Sequence, residues 1–197
     1  MKKLFFLFII TFAGIRATFA QSSSPYLVKE KLNAATSEAT RKAPDAYLNA
    51  IAATADVDLN GASDSWGYEF YSRVKDSVIV VLYNAGAPFV LAEPPMNPNK
   101  SQMPDAHDWI NSDAAMKTAQ SNGGSAFLAK YSSDNSVVME IGKGIDTTAK
   151  ETTIWMVDYF SGKRPGPINF LTVSINAQTG AVLATHEGIT PAMKKPQ

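Results

Sequence analysis

The chain has 197 residues, 18 basic and 18 acidic side chains, 45% apolar content and no cysteine. Balanced charge excludes a polyanion-binding scaffold, which needs an excess of Lys and Arg, and the apolar fraction excludes a disordered chain. The missing cysteines exclude disulfides, thiolate metal sites, a cysteine nucleophile and a lipidated cysteine, while the length allows one ordinary domain or two small ones.

The first predicted element is an address. Met1-Lys2-Lys3 is basic, Leu4 to Ile15 is apolar, and Ala17-Thr18-Phe19-Ala20 offers small residues where a signal peptidase reads. This order predicts a signal peptide over 1–20, cut between Ala20 and Gln21, and a secreted or periplasmic mature chain. The apolar run is too short for a span of about 20 residues, so no transmembrane segment is expected in the mature chain. Residues 21–43 read as a polar leader running into a helix over 26–42. Pro44 in a first turn, Asp45 behind it, and Leu48, Ile51, Ala52 and Ala55 at helical spacing predict a second helix over 44–55. Asn60-Gly61 marks a loop. Strands are expected over 66–72, 77–83 and 89–92, where aromatic and β-branched residues gather, and the proline-rich stretch 93–104 reads as an irregular connection.

Residues 109–121 read as a helix ended by Gly123-Gly124. Strands over 126–131 and 137–141 are expected to flank a turn at Ser132–Ser136, followed by strands over 154–160, 170–176 and 181–185. Gln178-Thr179-Gly180 closes the last hairpin, with Gly180 free to take a positive φ.

Two blocks recur in the same order. Trp66-Gly-Tyr68-Glu69-Phe70-Tyr71-Ser72 aligns with Trp155-Met-Val157-Asp158-Tyr159-Phe160-Ser161, and Asn84-Ala85 followed by Val90-Leu91-Ala92 aligns with Asn176-Ala177 followed by Val182-Leu183-Ala184. The repeat predicts two halves, 44–104 and 105–197, the second carrying an extra hairpin over 126–141. Helix then strand meander, twice over, gives an α+β class: an antiparallel sheet with helices packed on one face. Trp66 and Trp155 then stand as equivalent core anchors.

The stretch Trp155-Met-Val157-Asp-Tyr159, then Val173-Ser-Ile175-Asn176-Ala177-Gln-Thr179-Gly180-Ala-Val182, resembles the PepSY family signature. Asn176 replaces the usual Asp, and the first half resembles a degenerate copy without the Thr-Gly. The resemblance implies small exported α+β modules in tandem, a layout similar to the β-lactamase inhibitor protein. It implies a non-enzymatic binding role, with restraint of a peptidase or another envelope protein as the concrete form, and it brings no catalytic residues.

Little else points to chemistry. His107 and His186 are the two histidines, with no zinc-binding pair; Asp105, His107 and Asp108 read as a solvated cluster. No nucleophile elbow accompanies His186, Gly142-Lys143-Gly144 is too short to cradle phosphate and reads as a turn, and Asp56 and Asp58 read as loop acids. No cofactor, metal or nucleic-acid partner is expected. Lys163 and Arg164, in the proline-stiffened loop 162–167 that distinguishes the second half, are the binding candidates. A small-ligand-binding protein and a hydrolase without a recognisable motif are the rival readings.

Overall fold

A computed structural model describes residues 24–84, 88–92, 101–132, 134–145 and 151–192. Alternating side chains build eight strands: β1 (Tyr47–Ala53), β2 (Ser65–Ser72), β3 (Ser77–Asn84), β4 (Phe89–Ala92), β5 (Asn135–Ile145), β6 (Glu151–Ser161), β7 (Ile168–Asn176) and β8 (Val182–Thr190). They form one antiparallel sheet in the order β4-β3-β2-β1-β5-β6-β7-β8, about 34 Å across at ordinary strand spacing. Each of β2–β4 and β6–β8 pairs with the strand just before it in the chain, and β1 meets β5 in the middle.

The helices share one face. A 3-10 turn (Val28–Lys31) leads into α1 (Leu32–Lys42), which packs on β1 to β4; α2 (Ser112–Ala119) lies over β6 and β7. One continuous core fills the space between: Leu32, Ala35 and Ala39 from α1, Ala115, Met116 and Ala119 from α2, and every second residue of the central strands. The chain is therefore α+β with helices on one face, as the strand and helix alternation predicts.

Several expectations need correction. Residues 44–55 are not a helix: 47–53 is β1, a central strand. Its alanines favour a helix by propensity, but Ala53 lies opposite the Trp66 indole on the covered face while Ala50 and Ala52 pair with Glu69 and Gly67, and sheet packing overrides propensity. Pro44 follows the end of α1 and stops that helix, as prolines just past a helix end do. Residues 126–131 are not a strand but belong to α3 (Ser125–Lys130) and its end. Phe127 and Tyr131 stand one helical turn apart with ring centroids at 4.8 Å. Gly123, at φ 116°, kinks the path instead of ending it, and Gly124 lies where a Cβ would come within 2.4 Å of the Tyr159 ring. The extra hairpin over 126–141 accordingly does not exist. Asn135 and Ser136 of the expected turn already belong to β5, and Gly142-Lys143-Gly144 lies inside β5 and forms no turn.

The remaining strands fall where expected, β8 running on to Thr190. Gly180 takes φ 73° at the closing turn, where Asn176 Oδ1 accepts the backbone N–H groups of Gln178 (2.9 Å) and Thr179 (3.0 Å). The signal-peptide boundary at Ala20 and Gln21, Ala85 of the repeat and residues 93–100 of the connection lie outside the described residues.

Candidate functional site

The two sheet faces differ in chemistry. On the helix-covered face Trp66 and Trp155 are fully buried, their rings meeting edge to face at 6.5 Å, and Trp109 packs against Trp155 at 6.1 Å. Each indole N–H of the first two reaches a backbone carbonyl just ahead of a helix: Trp66 to Tyr26 (3.1 Å) and Trp155 to Ile110 (2.9 Å). These are packing anchors, closed to any ligand.

The other face carries no helix among the described residues. Because side chains alternate, the residues between the core positions of each strand point here: Ala50 and Ala52 of β1, Glu69 and Tyr71 of β2, Val78 and Val80 of β3, Val138 and Glu140 of β5, Met156 and Asp158 of β6, Thr172 and Ser174 of β7, while Asn49, the unpaired residue at the register shift between Leu48 and Ala50, reaches Glu69. Tyr71, Val78 and Val80 form a small apolar cluster with Tyr47 against it. Towards the other end, the rings of Phe170 and His186 lie 5.4 Å apart, and Phe170 covers Gly188, where a Cβ would meet it at 2.7 Å.

Three half-buried carboxyls sit between these apolar ends. Glu140 is pushed up to about 7, first by burial and then by the nearby charge of Asp158. Burial also raises Asp158, partly offset by a hydrogen bond donated by the Thr172 hydroxyl. Glu69 is raised by burial and offset by Asn49, whose Nδ2 donates to its Oε1 at 2.5 Å. Asn49 itself is only 3% exposed, and its Oδ1 has no hydrogen-bond partner. Sequence reasoning missed all four residues. Reading 44–55 as a helix hid Asn49, and the acids looked like ordinary punctuation between aromatics. The usable signal was the alternation itself: Glu69 and Asp158 each interrupt an otherwise apolar strand.

The loop candidates are held internally. Lys163 pairs with Asp134 at 2.5 Å, and Arg164 Nη1 donates to the Pro191 carbonyl at 3.2 Å. Gly162 takes φ 120° to open that loop. Asp105, His107 and Asp108 do converge, their ligand atoms within 4.8 Å of one another, but all three are exposed. Asp58 is occupied by its own loop, its Oδ1 accepting the N–H groups of Asn60 (2.8 Å) and Ala62 (2.9 Å). His186 stands across from Thr172, yet the Thr172 hydroxyl is donated to Asp158, so these three do not form a nucleophile–base relay. An open groove of about 940 Å³ runs between the β1–β2 loop and α2, with Leu27, Leu59 and Ala114 among its walls.

No family model matches the chain, and no curated protein matches it either. Among the described residues no helix is long and apolar enough to cross a membrane.

Proposed function

We propose that the chain is an exported, non-enzymatic, PepSY-like binding protein of two tandem halves that takes a polypeptide partner on the helix-free face of its sheet. The observation that carries this reading is the face itself, which holds the half-buried carboxyls of Glu69, Glu140 and Asp158 and carries no helix among the described residues. A face of that kind, flanked by aromatic and aliphatic groups, suits a protein surface better than a small molecule, which favours a concave pocket.

The tandem reading is supported by register. Ala53 lies opposite Trp66, and Ile141 lies opposite Trp155. Trp66 pairs with the residue before Asn84, and Trp155 pairs with the residue before Asn176. Stepping back once from Ala53 and once from Ile141 reaches Ala52 and Glu140, which face each other in the central β1–β5 pair. A pseudo-twofold axis through that pair relates the halves. The outer hairpins depart from it: Val90 pairs with Val81, whereas Val182 pairs with Ile175. With Tyr47–Ala53 a strand, the helical layer ahead of the first four strands is α1, which lies before the 44–104 bounds read from the sequence, as α2 and α3 lie ahead of β5 to β8. The PepSY-like turn chemistry is supported by Asn176, whose carbonyl accepts the bonds an Asp would accept. Export rests on the basic–apolar–small order of residues 1–20. The binding role rests on the scattered placement of the residues able to do chemistry.

Affinity capture from the native envelope fraction tests the reading. A stoichiometric polypeptide, a peptidase or another envelope protein, is expected with the chain from Gln21 onward. Ser174→Trp, which puts bulk on the face, should release it, while Lys163→Ser with Arg164→Ser should not. Loss with the loop pair alone would move the contact to 162–167, and recovery of no protein would overturn the reading.

A further inference from the structure

The two edges of the sheet are built differently. One is β4, four residues long, entered from Pro88 and shifted in register against β3 between Val80 and Val81. The other is β8, nine residues long, with no proline, lysine or arginine between Val182 and Thr190. Short strands, prolines, lysines and bulges keep a sheet edge from recruiting another strand. β4 has three of these devices. β8 has a register shift at its hairpin end alone, opposite Ser174 and Ile175, and is regular from Ala184 onward. Its Ile189 is 64% exposed, and its one acid, Glu187, is neutralised by Lys130 at 2.8 Å.

The backbone of β8 has a defined outward set. Ala177 N–H donates to the Thr153 carbonyl of β6 at 2.9 Å, and Asn176 N–H donates to the Ala181 carbonyl at 2.8 Å. Odd-numbered residues of β7 therefore bond β6, and even-numbered ones bond β8. Ser174, Thr172 and Phe170 use the backbone groups of their partners Ala184, His186 and Gly188. The N–H and C=O groups of Thr185, Glu187 and Ile189 are left facing out of the edge, and no strand meets them among the described residues. Pro191, which has no N–H and whose carbonyl is held by Arg164 at 3.2 Å, closes this edge at its far end.

We infer that the β8 edge pairs with the same edge of a second copy of this chain, antiparallel about a twofold axis at His186, so that two sheets join into one. This interface is separate from the docking face proposed above. In that register Thr185 stands opposite Glu187 of the second copy and exchanges both backbone hydrogen bonds with it. Leu183 stands opposite Ile189, apolar against apolar, and Ala184 opposite Gly188, small against small. Moving the axis one residue forward sets Glu187 against Glu187 and brings Pro191 into the ladder. Moving it one residue back sets Ile189 against Ala181 of the hairpin turn. The strand is thus complementary to itself in one register, which is what an isologous interface requires and what an unrelated strand would have to match by chance.

The test is sedimentation equilibrium of the chain from Gln21 onward, where a dimer is expected at about 0.1 mM. Thr185→Pro removes an outward N–H that β7 does not use, and Ile189→Lys sets a charge opposite Leu183. Each should weaken association at least about tenfold, whereas Val74→Lys, at a site 85% exposed and away from this edge, should leave it unchanged. Ile189→Lys changes a side chain that is already exposed, so it decides the matter even if the proline disturbs the fold. Because the chain has no cysteine, single thiols report the register. His186→Cys lies on the axis, its Cα about 4.5 Å from its copy, and should crosslink on mild oxidation. Thr190→Cys would lie about 27 Å from its copy and should not. A monomer at that concentration, a dimer indifferent to both edge variants, or equal crosslinking at the two thiol sites would each overturn the inference. So would a monomer that takes up a foreign peptide along β8, which would give the edge a different occupant.

Discussion

The covered and helix-free faces are made by the same strands, yet they obey different economies of water. On the covered face, alternate residues are aromatic or branched, and each buried polar atom of Trp66, Trp155, Tyr68 and Tyr159 finds a partner, the last pairing its hydroxyl with Met116 Sδ at 3.5 Å. On the other face the same alternation delivers Glu69, Glu140 and Asp158, which are half-buried and have no ion-pair partner among the described residues. Each face keeps one buried polar atom without a partner, Trp109 Nε1 in the core and Asn49 Oδ1 on the other side, so the faces differ in their half-buried acids and not in complete satisfaction.

The sharpest way to break this contrast is to truncate one large residue on each face. Trp66→Ala or Trp155→Ala should cost about 3–5 kcal/mol in chemical denaturation, because each empties a fully buried site that both halves share. Met156→Ala on the helix-free face should cost about 1 kcal/mol or less, since water already reaches it. Equal costs would mean that the second face is a core as well.

Gly61→Ala probes the join between the halves. Gly61 holds φ 81°, and a Cβ there would fall 2.4 Å from the Ser112 carbonyl oxygen at the start of α2. Left-handed strain and the clash together should cost about 2–4 kcal/mol by thermal or urea unfolding. A neutral result would show that the loop and α2 can part freely.

A smaller effect, of opposite sign, is expected from Glu140→Gln. Because the folded chain raises this carboxyl from 4.5 to about 7, folding binds a proton more tightly than the unfolded chain does. Stability from this group is therefore full below pH 4.5 and declines as pH rises through 7, by about 2 kcal/mol once partial hydration is allowed for. Glu140→Gln should remove that decline and gain about 1–2 kcal/mol at pH 8, with no gain at pH 4. Stability curves for both proteins across that window decide it. The least effect belongs to Lys163→Ser, which breaks an exposed pair with Asp134 and should cost under about 1 kcal/mol.

Much of the architecture was legible in the sequence because seven of the strands carry β-branched or aromatic residues in alternation, and Gly180 and Gly61 stand where positive φ was needed. Two segments misled for one shared reason. Ala53 is small opposite the Trp66 indole, and Ala50 and Ala52 take their places from their pairing with Glu69 and Gly67, while Phe127 with Leu128 looks strand-like until its helical partner Tyr131 is noticed. Both become legible only through a neighbour: strand β2 for the alanines, and Tyr131, four residues on, with Tyr159 of β6 for Phe127. The site was harder still. Nothing local tells a carboxylate in a bare strand face from one in solvent, and Asn49 draws its meaning from Glu69 on the adjoining strand. Lys163 and Arg164 stood out by charge and loop stiffness, while their partners Asp134 and Pro191 lie elsewhere in the chain.

The start of the first helical layer is finished by the second. Val28 N–H is accepted by Ser112 Oγ at 3.3 Å, Lys29 N–H by Asn111 Oδ1 at 3.3 Å, and the Lys29 ammonium donates to the Trp109 carbonyl while covering that ring. During synthesis these N–H groups wait until some eighty further residues have appeared, for the sequence separations are 84, 82 and 80. A nascent chain ending near residue 100 holds four strands with an exposed inner edge on β1 and a helix whose first turn lacks its caps. Loop closure over that distance is slow compared with local helix growth. The chain therefore stays open until its second half arrives, which suits the export proposed above.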